Sequence, residues 1–294
     1  MPINLTVCGA TDFGMKRETN EDAFVIADLT GKSLVTTGPL TRFEIGARGV
    51  LLAVSDGMGG HDAGEVASAL VVESLPPAMV RADARAVGGG DALVEQAVKS
   101  ANRTVWEASH VPGRQKMGAT LTAMYLEGAT VHIAEVGDSR AYLLRGGQLV
   151  QVTRDQSYVQ ALIDSGAIKP DEAAVSPCRN IILQAMGQKP DVQVALGRLS
   201  LRQRDCFILC SDGLTNKVTP DEMRAIILGS PSMDVACTRL IARANEKGGE
   251  DNITVVMGGV SGDLPAFVGG EAISDTLEQV QEFVSVIGSH APTA

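Results

Sequence analysis

Aromatic residues are scarce in this sequence. They make up 3% of its 294 residues, with one tryptophan, three tyrosines and six phenylalanines. The core must therefore be built from aliphatic side chains, chiefly those of valine, leucine, isoleucine and alanine. Apolar residues reach 45% and charged residues 20%, a globular composition that excludes a disordered chain. The length is compatible with one large domain.

Cysteine and histidine are also few. The five cysteines are odd in number and include no Cys-x-x-Cys pair, which excludes a disulfide framework and indicates a reducing compartment. The four histidines are isolated, so no zinc-type spacing occurs. No apolar run reaches the roughly eighteen residues of a transmembrane helix, and no signal peptide precedes the first strand. We therefore expect a cytoplasmic protein that does not bind membranes.

Positive charge is in deficit, because 25 basic residues face 35 acidic ones and the formal net charge is −10. An acidic protein repels nucleic acid and anionic lipid surfaces, so neither is an expected partner. Carboxylates in excess suit a protein that holds cations, although a single acidic residue is more often simply solvated.

Apolar runs that stop at Ser-Asp-Gly are the clearest pattern present. GVLLAVSDG and CFILCSDG each predict a buried strand that ends in a tight turn. Four short strands with hairpin turns are predicted between residues 119 and 152, and ITVVMGGV predicts a last strand. Helical spacing occurs over 63–82, 90–109, 219–229 and 231–247, with Pro76-Pro77 expected to end or bend the first helix. This order predicts a layered α+β fold.

Five acidic clusters lie at turns that adjoin predicted strands. They are Asn20-Glu21-Asp22, Ser55-Asp56-Gly57, Gly137-Asp138-Ser139, Ser211-Asp212-Gly213 and Glu250-Asp251-Asn252. Any one of them alone is explained as an ordinary turn. Five carboxylate clusters that converge would repel one another strongly unless cations were present. Oxygen-only ligands favour Mg²⁺ or Mn²⁺ over zinc.

The ordered motifs resemble one known family. They are Arg17-x-x-Asn20-Glu21-Asp22, Asp56-Gly57-Met58-Gly59-Gly60-His61, Gly118-Ala119-Thr120, Val136-Gly137-Asp138-Ser139-Arg140, Ser211-Asp212-Gly213-Leu214 and Glu250-Asp251-Asn252. Together they are similar to the metal-dependent protein phosphatases of type 2C (PPM) in their bacterial form. The resemblance runs from about residue 8 to about residue 260, and the ordered set is far more specific than any single motif.

The resemblance implies a four-layer α-β-β-α sandwich with two central antiparallel sheets. It implies hydrolysis of phosphoserine and phosphothreonine in proteins by a metal-bridged hydroxide, with Mn²⁺ or Mg²⁺ as two core ions and a third. Phosphorylated proteins are then the substrates, and a Ser/Thr kinase is the enzyme opposed.

The resemblance also implies residue roles. Asp56 would bridge two metals, and the Gly57 carbonyl would complete one of them. Asp212 and Asp251 would bind the other, and Asp138 with Asp212 would hold the third ion. Glu21 and Asp22 match residues that hold metal-bound waters. Arg17 matches the phosphate-binding arginine of the family. Its planar guanidinium can donate two hydrogen bonds to a phosphate. Arg140 is interpreted as a partner of local carboxylates.

Two positions depart from the family pattern. A histidine that follows the Asp-Gly in some eukaryotic relatives is Met58 here, and His61 lies three residues further on. The His-Ser that many bacterial relatives carry after Thr-Arg-Asp is Gln156-Ser157. A metal-bound water is therefore one candidate for the general acid.

The resemblance divides the chain into a catalytic domain over 1–262 and a tail over 263–294. Residues 156–190 match a variable flap beside the site. In the tail, an apolar stripe at helical spacing predicts an amphipathic helix from Ser274 to Ile287. Either this domain or a partner could cover the stripe, and docking on the domain is favoured because an exposed stripe would promote association.

Two other function classes stay open from the sequence. One is a phosphoprotein-binding module on the same fold without catalysis, which would need degraded metal ligands. The other is a purely structural binder of divalent cations, which gives no reason for Arg17 beside an acidic cluster. Turnover of p-nitrophenyl phosphate with Mn²⁺ distinguishes the first of these from a phosphatase.

Overall fold

The computed structural model describes residues 2–35, 38–59, 63–82 and 87–285. The strands within these ranges are β1 Asn4–Asp12, β2 Asp22–Asp28, β3 Ser33–Val35, β4 Gly38–Glu44, β5 Val50–Met58, β6 Gly118–Ala119, β7 Leu121–Glu127, β8 Thr130–Val136, β9 Arg140–Arg145, β10 Gln148–Gln151, β11 Ala195–Ser200, β12 Cys206–Cys210, β13 Ile253–Ser261 and β14 Leu277–Gln281. The helices are α1 Gly64–Arg81, α2 Gly90–Ala108, α3 Tyr158–Asp164, α4 Pro170–Ala174, α5 Asp212–Thr215, α6 Pro220–Leu228 and α7 Met233–Glu246, with a 3-10 turn at Ile273–Asp275.

The strands form two sheets in which every described pair is antiparallel. The smaller sheet runs β10-β9-β12-β13-β1-β4. The larger runs β14-β11-β8-β7-β5-β2-β3, with β6 paired to β5. Their inner faces share one apolar core, to which Leu5 and Phe207 contribute from the smaller sheet and Leu52 and Val54 from the larger.

Helices cover the outer face of each sheet. The apolar faces of α1 and α2 form one core with the larger sheet, and those of α6 and α7 form another with the smaller. The four-layer sandwich is therefore confirmed.

The first helix does not end at Pro76-Pro77 but continues to Arg81. Burial of Leu75, Ala78 and Met79 in the core holds this last part of the helix in place, although each proline removes one backbone hydrogen bond.

The predicted tail helix is wrong. Residues 277–281 form β14, which pairs with β11 at the edge of the larger sheet. The apolar stripe does have helical spacing, but a short isolated helix is marginal in water. The unpaired edge of β11 instead supplies backbone partners for an extended segment. Ile287, the last residue of that predicted helix, lies outside the described residues. For the described part of the tail, the pairing with β11 confirms docking on this domain.

Candidate active site

The predicted acidic residues meet at one end of the sandwich. Asp56 lies near the end of β5, directly across from Asp22 on β2 in the antiparallel register. Asp138 follows β8, Asp212 begins α5 after β12, and Asp251 precedes β13. The core holds each strand, so the residue at its end has a defined position.

A cleft of about 400 Å³ opens among these strand ends. Seven of the eight predicted site residues line it: Arg17, Glu21, Asp56, Gly57, Asp138, Asp212 and Asp251. The eighth, Asp22, lies behind the cleft wall, 8% exposed, where it accepts a hydrogen bond of 2.7 Å from the Ser211 hydroxyl. Met58, at the position of the eukaryotic histidine, also lines the cleft, and His61 is outside the described residues.

Burial and mutual repulsion make these carboxyl groups reluctant to ionise together. Burial raises the pKa of Asp56 well above its usual range, and the charges of Asp22 and Asp212 raise it further. Burial also raises the pKa of Asp138 to about 8, with Asp212 the next cause. The pKa of Asp22 rises to about 7 through burial, although the Ser211 hydrogen bond opposes the change. The cluster therefore carries more negative charge than the nearby Arg17 and Arg140 offset.

The donor chemistry of the cleft fits hard divalent cations. One carboxylate oxygen of Asp212, Oδ1, is buried without a hydrogen-bond partner, as is Oδ1 of Asp22. Within the described ranges, no three acidic, histidine or cysteine side chains form a closed ligand set by themselves. Mg²⁺ sites commonly combine one or two carboxylates with waters, so a closed side-chain cage is not required. The carboxylate oxygens that line the cleft are therefore compatible with such ions.

Thr120 joins two parts of the site. Its hydroxyl accepts a hydrogen bond from the Asp56 backbone N–H at 2.9 Å and lies 2.7 Å from the Ser139 hydroxyl. Its carbonyl accepts the Ser55 hydroxyl at 2.7 Å. These contacts tie the end of β5 to the turn that carries Asp138. Gly118-Ala119-Thr120 belonged to the family resemblance, but nothing in the sequence assigned a role to the threonine.

Asn252 is a supporting residue that sequence reasoning did not place in the site. It is 3% exposed. Its side-chain nitrogen donates to the carbonyls of Phe13 and Thr19, at 3.1 and 2.9 Å, and its side-chain oxygen accepts the Glu21 backbone N–H at 2.8 Å. One amide thus holds the segment 13–21, which carries Arg17. The only sequence signal was its place directly after Asp251.

Arg17 lies at the mouth of the cleft with 46% of its side chain exposed. Its guanidinium donates to Asp251 at 3.0 Å and stands 3.9 Å from Glu21. This ion pair is compatible with the predicted phosphate-binding role, because an exposed guanidinium held by one carboxylate still has N–H groups free to bind a ligand.

Arg140 forms a forked ion pair with Asp155, with three hydrogen bonds of 2.6 to 3.0 Å. Its predicted role as a partner of local carboxylates is confirmed.

Gln156, which departs from the family pattern, is buried. It accepts the Gly137 N–H at 3.0 Å and donates to the Glu135 carbonyl at 2.9 Å. This side chain therefore fixes the backbone beside Asp138.

Comparison with known proteins agrees with this geometry. A family model described as Protein phosphatase 2C matches residues 40–248. The chain belongs to the protein phosphatase 2C family. Serine/threonine protein phosphatase PstP of Mycobacterium tuberculosis is 38% identical over 272 residues, covering 84% of this chain and 51% of PstP. The chain thus spans about half the length of that relative.

Other members of the protein phosphatase 2C family match over most of their length. Serine/threonine phosphatase stp of Listeria welshimeri is 37% identical over 209 residues, covering 70% of this chain and 83% of stp. The crystal structure of the M. tuberculosis phosphatase PstP/Ppp superposes with a TM-score of 0.74 at 34% identity, covering 88% of this chain and 100% of that one. A PstP catalytic domain in complex with two manganese ions matches with a TM-score of 0.73 at 32% identity, over 88% and 100% of the two chains.

Among the residues described for this family member, no helix is long and apolar enough to cross a membrane.

Proposed function

We propose that this chain is a metal-dependent phosphatase that hydrolyses phosphoserine and phosphothreonine in proteins. The observation that carries the proposal is the convergence of Asp56, Asp138, Asp212 and Asp251 on one cleft with Arg17 at its mouth. The PstP complex with two manganese ions, together with the resemblance, supports Mn²⁺ or Mg²⁺ as the cofactor. A Ser/Thr kinase is the enzyme it opposes. The reaction takes place in the cytoplasm, where the free thiols of the five described cysteines would persist.

Asp56 and the Gly57 carbonyl would hold the core ions together with Asp212 and Asp251. Asp138 and Asp212 would hold a third ion, and Glu21 and Asp22 would orient waters around them. Two divalent cations, when bound, supply the nucleophile by lowering the pKa of a shared water and offset the charge of the phosphoryl oxygens. Arg17 would orient the phosphoryl group through charge-assisted hydrogen bonds.

Turnover of p-nitrophenyl phosphate and of a phosphothreonine peptide tests this function. We expect both to require added Mn²⁺ or Mg²⁺ and to stop when EDTA is present, because the carboxylates of the cleft are the ligands that these hard cations prefer. Restoring excess Mn²⁺ after EDTA should recover the rate. Full activity after exhaustive chelation would contradict the metal requirement, and binding of the phosphopeptide without turnover would indicate a non-catalytic module.

Arg17→Ala should lower kcat/KM by about tenfold to a hundredfold, since a hydrogen bond to a charged group contributes about 1.5–3 kcal/mol. We expect the change mainly in KM, because the phosphate is already charged in the ground state. Inhibition by free phosphate should weaken in parallel. Mn²⁺ affinity should change little, because the Arg17–Asp251 pair is exposed and such pairs are weak.

Lys16→Ala is the matched control, because Lys16 is an exposed cation on the same segment. A similar loss in both variants would indicate a general charge effect and not a phosphate contact. Unchanged kcat/KM and unchanged phosphate inhibition in Arg17→Ala would make Arg17 only an ion-pair partner of Asp251.

The metal-free protein should lose stability as the pH rises from about 4 to about 8. The carboxyl groups of Asp22 and Asp138 have folded pKa values of about 7 and about 8, mainly because they are buried. Their unfolded pKa is about 3.9. The folded state therefore binds more protons in this window, so stability is greatest below the unfolded pKa and falls as the pH rises toward the folded values.

Urea unfolding at pH 5.5 and pH 8, in EDTA and in Mn²⁺, measures this dependence. The midpoint in EDTA should be lower at pH 8, and Mn²⁺ should restore more stability at pH 8 than at pH 5.5, since protons and cations compete for the same oxygens. A midpoint in EDTA that rises between these pH values would contradict the argument.

A further inference from the structure

Two large apolar side chains are exposed on the segment that leads to Arg17, a residue that lines the cleft. Phe13 is 53% exposed and Met15 is 66% exposed. We call these two residues the rim patch. Ile181 is 50% exposed, and its neighbours Asn180 and Ile182 line the cleft. Phe13 is the only aromatic residue among the exposed large apolar side chains of the described ranges. Exposed apolar surface next to a catalytic cleft commonly marks a contact surface for a partner.

The rim patch is held in place by its backbone. The Phe13 carbonyl accepts the Asn252 side chain, and the Met15 N–H donates to the Gly249 carbonyl at 2.7 Å. Gly14 lies between them with φ of 76°, and a Cβ at this residue would stand 2.2 Å from the Asp251 carbonyl oxygen. The loop therefore packs closely against the segment that carries Asp251. Phe13 and Met15 are exposed on an anchored loop.

The rim patch is close enough to Arg17 for one short substrate segment to contact both. Met15 is two residues from Arg17, so their Cα atoms are at most about 7 Å apart. Phe13 is four residues from Arg17 and at most about 14 Å away by the same measure. When the phosphate of a phosphoserine or phosphothreonine meets Arg17, residues within about three positions of the phosphorylated one are therefore within reach of the patch.

The negative charge of the cleft disfavours acidic side chains in a bound substrate. The cleft carries four aspartates and Glu21, and the whole chain has a net charge of −10. Acidic residues on either side of a phosphosite would be repelled by these carboxylates where cations do not neutralise them. Apolar residues are not repelled, and they remove the apolar surface of the patch from water.

We propose that the rim patch binds an apolar side chain of the protein substrate, within about three residues of the phosphorylated one. The enzyme would then select phosphosites flanked by apolar residues. This inference rests on the proposed phosphatase function and names the class of phosphoprotein segment that the same cleft accepts.

Matched phosphothreonine peptides test the selection. One set carries leucine or phenylalanine at single positions from three before to three after the phosphothreonine, and the other carries serine or glutamine there. We expect kcat/KM for the best apolar peptide to exceed that for its polar counterpart by about tenfold, which corresponds to about 1.4 kcal/mol. Dividing each value by the p-nitrophenyl phosphate rate of the same enzyme removes effects on the chemical step.

The double substitution Phe13→Ser with Met15→Ser should reduce that tenfold ratio to about twofold or less. Leu34→Ser and Val268→Ser are matched controls, because Leu34 and Val268 are exposed by 61% and 70% and neither lines the cleft. Both controls should keep the tenfold ratio. Thermal unfolding of each variant checks that its fold is retained.

Three outcomes would overturn the inference alone. Equal kcat/KM for apolar and polar peptides, with normal turnover of p-nitrophenyl phosphate, would exclude the selection but leave the phosphatase function intact. A tenfold ratio that survives the double substitution would assign the selection to other residues. A changed sedimentation coefficient with an unchanged ratio would make the patch a contact between two copies of this chain. Absence of p-nitrophenyl phosphate turnover in the unmodified protein would instead overturn the proposed function, and the inference with it.

Discussion

Asp56→Asn is expected to lower turnover of p-nitrophenyl phosphate by about a thousandfold or more. Asp56 is the residue proposed to touch two cations, and the transition-state stabilisation that such ions supply is several kcal/mol, at about 1.4 kcal/mol for each factor of ten. Asparagine preserves the shape of the side chain but offers a neutral amide. The backbone contact of Asp56 with Thr120 should persist, so the fold should not change.

Thermal unfolding with and without Mn²⁺ supplies a second measurement on the same variant. Mn²⁺ should raise the Tm of the unmodified protein much more than that of Asp56→Asn. In EDTA at pH 8 the variant should be the more stable protein, because burial and neighbouring carboxylates raise the pKa of Asp56 and make its charge unfavourable.

Asp191→Asn, at an exposed carboxylate that does not line the cleft, is the control. Asp212→Asn and Asp251→Asn should weaken Mn²⁺ affinity strongly. If Asp56→Asn kept the unmodified rate and the full Mn²⁺ response, the proposed metal site would be wrong.

Removing residues 263–294 is expected to destabilise the domain by several kcal/mol and to leave the chemical site intact. Leu264 and Ile273 are buried in the inner core, and fully burying an aliphatic side chain contributes about 1.5–3 kcal/mol. Arg145, 2% exposed, donates to the Thr276 hydroxyl at 2.6 Å, so truncation would also leave a buried cation with one partner fewer. Against a total stability of about 5–15 kcal/mol, this loss is large.

Truncation after Gln281 is the matched control, because it keeps β14, Thr276 and both buried side chains. Its unfolding midpoint in urea should stay close to that of the full chain, whereas truncation from Asp263 should lower the midpoint clearly. Turnover per folded molecule at low temperature should be similar in both, since no described residue after Asp251 lines the cleft. Loss of dimerisation without loss of stability would instead indicate that the tail serves a partner.

Residue chemistry and local pattern were sufficient to predict where the acidic side chains would be concentrated. A continuous apolar run that stops at Ser-Asp-Gly has few alternatives to a buried strand with a turn, and that pattern correctly located Asp56 and Asp212 at strand ends. The four layers followed from the family resemblance, whereas the order of strands and helices by itself indicated only a layered α+β fold. The roles of the site residues stay predictions, because they depend on ions and a substrate that bind after folding.

The tail shows how tertiary structure overrides local pattern. Its apolar residues recur at helical spacing, and nothing within 263–294 indicates a strand. The deciding factor was the unpaired edge of β11, more than seventy residues earlier in the chain, and β11 itself was not predicted from the sequence. Backbone hydrogen bonds along that edge stabilise an extended segment more than a short helix stabilises itself.

The supporting contacts of the site depended on the fold in the same way. Asn252 holds the Arg17 segment from more than 230 positions away, and Thr120 joins Asp56 to Ser139 across two strands. An asparagine or a threonine has many uses in a sequence, so its type alone does not indicate its partner. The sequence by itself determined which charges this protein carries and that they follow buried strands. Only the tertiary structure decided which backbone groups hold them, because those partners are brought together by sheet packing and not by proximity along the chain.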